Sequence, residues 1–71
     1  MATFAARLKK ARAARALTIN ALADKLGTYS TNVSAWEHGR SRPGLRKLVQ
    51  LGDTLRVSLD WLAGRTEGGG P

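Results

Sequence analysis

The sequence predicts an all-α fold of five short helices around a central helix-turn-helix, and three observations lead there. Between Thr18 and Gly39 apolar residues recur at helical spacing in two short runs, Leu22, Ala23 and Leu26, then Val33 and Trp36. Gly27 lies between the runs and tolerates φ > 0, so the first helix can end there and the chain reverse. The flanks read as helices too: an Ala-, Arg- and Lys-rich stretch without Gly or Pro precedes the pair, and a leucine-spaced stretch follows Pro43 and Gly44. Ala23 is small where two steeply crossing helices must come close.

Taken in order, the first helix is expected over Phe4 to Arg15, with Thr3 as its N-cap. Phe4, Leu8 and Ala11 line one face, and Arg7, Lys9, Lys10 and Arg12 spread over the others. Arg15 suits the dipole at that helix's C-terminal end, and the chain then turns at Ala16. Thr18 caps a second helix, Ile19 to Leu26, with Leu17 stapled onto Leu22. The third begins at Tyr29 or Ser30 and runs to His38, stopped by Gly39. Arg40 to Gly44 form a basic turn. The fourth helix spans Leu45 to Leu55, with Leu45, Leu48, Leu51 and Leu55 facing inward and Val49 a further candidate. Ser58 caps a short fifth helix, Leu59 to Ala63, ended by Gly64. Residues 1–65 are expected to form the domain and 66–71 a frayed, flexible, glycine-rich tail. Trp36, Trp61 and Leu62 are expected in the core.

Composition narrows the function. With 71 residues the chain is one domain, burying only about 60% of its unfolded surface. It has no cysteine and one histidine, so neither a disulfide framework nor a metal site is expected, and no cofactor. No carboxylate pair, metal cluster or activated nucleophile can be assembled, which argues against an enzyme. No apolar run approaches the ~18 residues needed to cross a membrane, and the N-terminus lacks a signal-peptide core. A cytoplasmic protein is expected. Twelve Lys and Arg against five Asp and Glu give a net charge of +7 and a pI of 11.3. That excess favours a polyanionic partner, nucleic acid before anionic membrane. The basic first helix has an apolar stripe too narrow and alanine-rich for insertion, and suits packing better.

Ala23, Gly27, Val33 and Trp36 occupy the small, turn and two core positions of the motif. Over roughly Phe4 to Leu62 the chain resembles the Cro/phage-repressor family of regulators, also called the xenobiotic-response-element family. The resemblance implies the compact lambda-repressor-like fold, with helices 1, 4 and 5 as a platform behind the reading pair. It also implies a sequence-specific transcriptional regulator, a repressor bound to operator DNA as a homodimer. Half-sites would lie about 34 Å apart, with helix 3 in the major groove. The dimer contact would lie around helix 5, at Val57 or Leu59. An alternative keeps the fold but makes the chain an antitoxin that binds a toxin partner and autoregulates its promoter; a protein-only interaction module is a third reading.

If Val33 and Trp36 point inward, the helical step of about 100° places Thr31, Ala35 and His38 opposite, with Asn32 and Ser34 to the sides. Carried over by position, the resemblance implies base contacts from Ser30, Thr31, Ser34 and Ala35. Asn32 adds a lateral amide able to pair with adenine, and Tyr29 a ring at the N-cap. Ser and Thr hydroxyls discriminate bases poorly, and this helix carries no arginine for guanine, so DNA shape is expected to contribute. The bland alternatives are a small solvated face and a Tyr29 packed beside the turn. Phosphate contacts are expected from Thr18, His38, Arg40 and Arg42. They are also expected from Arg46 and Lys47, although cations in a first helical turn oppose the macrodipole. Ile19 stands where the family has glutamine, and Tyr29 where it has a small residue. The resemblance further implies an internal salt bridge between Arg12 and Glu37.

Overall fold

Each helix starts where the preceding residue is extended, and three starts are sealed by a hydroxyl. In the computed structural model, which describes residues 3–71, Thr3 Oγ1 accepts the Ala6 amide at 3.2 Å ahead of α1 (Phe4–Ala14). Thr18 Oγ1 accepts the Ala21 amide at 3.0 Å ahead of α2 (Ile19–Leu26). Ser58 Oγ accepts the Trp61 amide at 3.0 Å ahead of α5 (Leu59–Leu62). The other two, α3 (Ser30–Glu37) and α4 (Leu45–Leu55), start at Tyr29 and Gly44 with no side-chain cap. Apart from the Asn32 amide, which donates to the Tyr29 carbonyl, their first-turn amides are left for another partner. Helices α1, α3 and α5 end one residue short of expectation, at Ala14, Glu37 and Leu62, where the next residue acts as C-cap.

Gly27 (φ 66°) and Gly39 (φ 71°) end α2 and α3 in the left-handed region, as their positions predict. Two L-residues share it. Ala16 (φ 55°) turns the chain after α1, and Arg56 (φ 57°) turns it after α4. Each costs roughly 1 kcal/mol relative to glycine. The turn at Arg56 delivers Val57 into the core, where it is buried.

That core gathers Leu8 and Ala11 of α1, Leu22, Ala23 and Leu26 of α2, and Val33 and Trp36 of α3. Leu51 and Leu55 of α4, then Val57, Trp61 and Leu62, complete it. The pair α2–α3 packs together, α3 also meets α1, and α4 meets α2. Contacts of α5 with α1 and with α4 close the platform behind. Gly52 makes the last contact close: a Cβ there would lie 3.0 Å from Leu59 Cδ2 and 3.1 Å from the Val57 carbonyl. Among the described residues the fold class is as expected, all-α with five helices around a central helix-turn-helix.

Three expectations need correction. Leu45 and Val49 are exposed rather than inward. Leu48, Leu51 and Leu55 form one stripe, and positions 45 and 49 lie about 60° and 100° off Leu48. Arg7, expected on a solvated face, is only 6% exposed. Finally, the segment expected to fray lies back on α5. The Ser58 amide donates to the Gly69 carbonyl at 2.8 Å, and Arg7 donates to the Thr66 carbonyl at 2.6 Å. Gly70 sits so close to the Trp61 ring that a Cβ would be 2.5 Å away. The glycines there permit contact rather than looseness. Met1 and Ala2, placed in the domain by sequence, lie outside the described residues.

Candidate nucleic-acid interface

The reading helix is held from behind. Arg12 Nε donates to Glu37 Oε2 at 2.5 Å and Nη2 to Oε1 at 3.0 Å, a two-pronged pair. Arg12 Nη1 also donates to the Leu17 carbonyl at 2.8 Å, tying in the α1–α2 turn. The Glu37 side chain is 4% exposed and that of Arg12 15%. The hydrogen bonds to Glu37 raise the Arg12 pKa above its ordinary value, against the opposing effect of burial. The implied salt bridge therefore forms, and it joins the last residue of α3 to α1.

With Val33 and Trp36 buried, the opposite side of α3 is a short polar face. Thr31, Asn32 and His38 are exposed, and Ser30, Ser34 and Ala35 are half-buried. Tyr29 is 77% exposed, so it does not pack beside the turn. Asn32 Nδ2 donates to Thr28 Oγ1 at 2.9 Å, which holds this amide to the side of the face. His38 Nδ1 lies 2.7 Å from the Ser34 carbonyl. A carbonyl only accepts, so Nδ1 carries the proton and Nε2 is the ring's open position. Thr18 uses its oxygen as the α2 cap and keeps its O–H as a donor.

The cations around this face divide. Arg40, Arg42 and Arg46 are exposed and make no side-chain hydrogen bond or ion pair among the described residues. Lys47 differs: its Nζ donates to the Leu26 carbonyl at 2.7 Å and to Gln50 Oε1 at 3.1 Å. Its ammonium is spent inside the fold rather than presented beside Arg46. Of the two residues expected at a dimer contact, Val57 is buried in the core and only Leu59 reaches the surface, at 36% exposure.

Sequence reasoning missed two anchors. Arg7 Nη1 donates to the Trp61 carbonyl at 2.8 Å, Nη2 pairs with Glu67 at 2.9 Å, and the guanidinium sits 4.8 Å from the Trp61 ring centroid. Arg15 Nε donates to the Leu55 carbonyl at the end of α4, at 2.9 Å, rather than serving its own helix. No local pattern signals either, because the partners are 40 to 60 residues away. No helix among the described residues is long and apolar enough to cross a membrane.

This geometry agrees with what the chain is similar to. The helix-turn-helix family model matches residues 8–62. An HTH-type transcriptional regulator of Bacillus subtilis, YqaE, is 39% identical over 59 residues, covering 83% of this chain and 51% of the relative. The cryptic phage CTXphi transcriptional repressor RstR of Vibrio cholerae is 36% identical over 59 residues, 83% of this chain and 53% of the relative. The chain thus spans about half the length of the relatives it matches. Among solved structures, the P22 c2 repressor in complex with a synthetic operator superposes with a TM-score of 0.88 at 23% identity. That match covers 93% of this chain and 100% of that one, and establishes the fold. On the extent of the family match and the identity to its relatives, the chain belongs to the helix-turn-helix family.

Proposed function

We propose that this chain is a sequence-specific DNA-binding transcriptional regulator, a repressor that occupies operator DNA as a two-fold dimer with α3 in the major groove. One observation carries the reading. The polar face of α3 is locked rigidly from behind by Arg12 and Glu37 and flanked by three exposed arginines with no internal partner. A preformed face beside unspent charge suits a groove lined by phosphates. The names of the relatives, a transcriptional repressor and HTH-type regulators, support the same function.

In this reading Tyr29, Ser30, Thr31, Ser34 and Ala35 meet base edges. The methyls of Thr31 and Ala35 suit thymine, and the hydroxyls add tolerant hydrogen bonds. Asn32 joins only by giving up Thr28. Arg40, Arg42, Arg46 and the Thr18 hydroxyl take phosphates, His38 Nε2 donates to one only when the ring carries both protons, and the free amides in the uncapped first turns of α3 and α4 face the same backbone. Leu59 supplies the apolar contact to a second copy, a role the buried Val57 cannot share.

Three arginines per protomer make six per dimer, and each neutralised phosphate adds about 0.9 to the salt dependence, so log K against log salt should fall with a slope near −5. Selection from random duplex DNA should enrich two-fold symmetric sites with half-sites about 34 Å apart. Duplex binding that is absent or indifferent to salt overturns the proposal.

A further inference from the structure

Lys47 sits in the first turn of α4, where the helix dipole opposes a cation, yet it has a specific destination. Its side chain crosses to the C-terminal end of α2, where the same dipole effect favours a cation, and donates to the Leu26 carbonyl at 2.7 Å. That carbonyl needs a partner. The amides of Gly27 and Thr28 fold back to Asp24 and Ala23 and leave the Leu26 oxygen outside the helical pattern. Gln50 Oε1, one turn along α4, accepts a second Lys47 proton at 3.1 Å and aims the ammonium.

What lies downstream of Leu26 gives the contact its meaning. Residues 27–29 form the whole turn into α3, and Tyr29 starts that helix without any side-chain cap. The far end of α3 is pinned by Arg12 and Glu37, while its near end depends on where the turn is held. We infer that Lys47, braced by Gln50, is a positioning residue that fixes the N-terminal end of the reading helix from behind, rather than a phosphate contact. The inference rests on the DNA-reading proposal above and assigns to α4 part of the discrimination between sequences.

The test measures binding of the full chain to a selected duplex and a scrambled one across a salt series. It compares wild type, Lys47→Met, Gln50→Leu and, as a reference, Arg42→Ala. Circular dichroism sets a temperature at which each variant is folded. Lys47→Met should lose about tenfold on the selected duplex and little on the scrambled one, as the loss of a charged hydrogen bond would give, with an unchanged salt slope. Gln50→Leu, which alters no charge, should show the same pattern at about two- to threefold. Arg42→Ala, which removes two arginines from the dimer, should weaken both duplexes alike and lower the slope by about 1.8. A slope loss of that size in Lys47→Met, or undiminished discrimination in Gln50→Leu, overturns the assignment. Should Lys47→Met fail to fold, Gln50→Leu decides alone. If the wild type binds no duplex, the DNA proposal falls, and amide exchange judges the clamp. Exchange at residues 28–31 should then be faster in either variant, and unchanged exchange rejects it.

Discussion

Arg7 and Arg12 on α1 and Arg15 at its C-cap each reach away to bind another part of the chain, whereas after α3, Arg40, Arg42 and Arg46 bind none of the described residues. Arg7 holds the Trp61 carbonyl in α5, Arg15 the last carbonyl of α4, and Arg12 the acidic end of α3. With Lys47 on the Leu26 carbonyl, cations from elsewhere cap or brace the ends of all the other helices. The residue type is nearly constant across both groups, and only its surroundings differ. Next to a helix C-terminus, the guanidinium's five donors satisfy orphan carbonyls and complement the dipole. Beside the uncapped start of α4, where neither service is available, the charge stays at the surface. The net charge of +7 therefore overstates what faces outward uniformly. Lys9, Lys10, Lys25 and Arg56 stay exposed as well, and Arg40, Arg42 and Arg46 are the unspent cations that follow α3.

Glu37 carries the largest expected effect. Glu37→Ala leaves the Arg12 guanidinium half-buried without its carboxylate and with only the Leu17 carbonyl as acceptor, and should destabilise by about 3 kcal/mol in urea titrations. A loss within about 1 kcal/mol would reduce the pair to an ordinary surface contact. The pH dependence has a definite sign. Arg12 has a raised pKa in the folded state, so its contribution is complete below the ordinary arginine value and lost only as pH rises through the raised one. The contribution from Arg12 should therefore stay flat across neutral pH.

Arg7→Met comes next, at about 2 kcal/mol, because the Thr66 carbonyl loses its donor, the Trp61 carbonyl keeps only backbone donors, and the Trp61 ring loses its cation. Hydrogen exchange should show residues 66–70 released at the same time. Glu67→Ala, by contrast, should change stability by less than about 1 kcal/mol, since that carboxylate is 95% exposed. Equal losses from the two variants would mean that the ion pair, not the carbonyl contacts, anchors the tail.

Arg40→Ala and Arg46→Ala should be the mildest for the fold, within about 0.5 kcal/mol of wild type by thermal melting. Each removes two arginines from the dimer and should still lower the salt slope of DNA binding by about 1.8. A substantial loss of stability in either would show that these arginines work internally after all, and the contrast with α1 would collapse.

Local signals in the chain set where helices start and stop and which residues fill most of the core. Thr3, Thr18 and Ser58 cap the helices they precede, Gly27 and Gly39 end α2 and α3, and the apolar spacing picks out Leu22, Val33, Trp36 and Leu51 as buried. These signals act within about a helical turn, so they survive without knowledge of the rest. The polar side of α3 followed from the same step. The Arg12–Glu37 pair came from family resemblance, not from spacing. Which cations are spent depends on how the helices pack. Arg7, Arg15 and Lys47 find partners 21 to 60 residues away, at helix ends brought near by packing. Periodicity counts arginine and lysine as solvated, yet their long stems let a charged head reach whatever carbonyl the fold leaves unpaired. The same reason covers the tail: nothing local to Thr66–Gly70 announces that Ser58, Trp61 and Arg7 converge where it passes. It also covers Leu45, whose exposure depends on what stands opposite rather than on its own character.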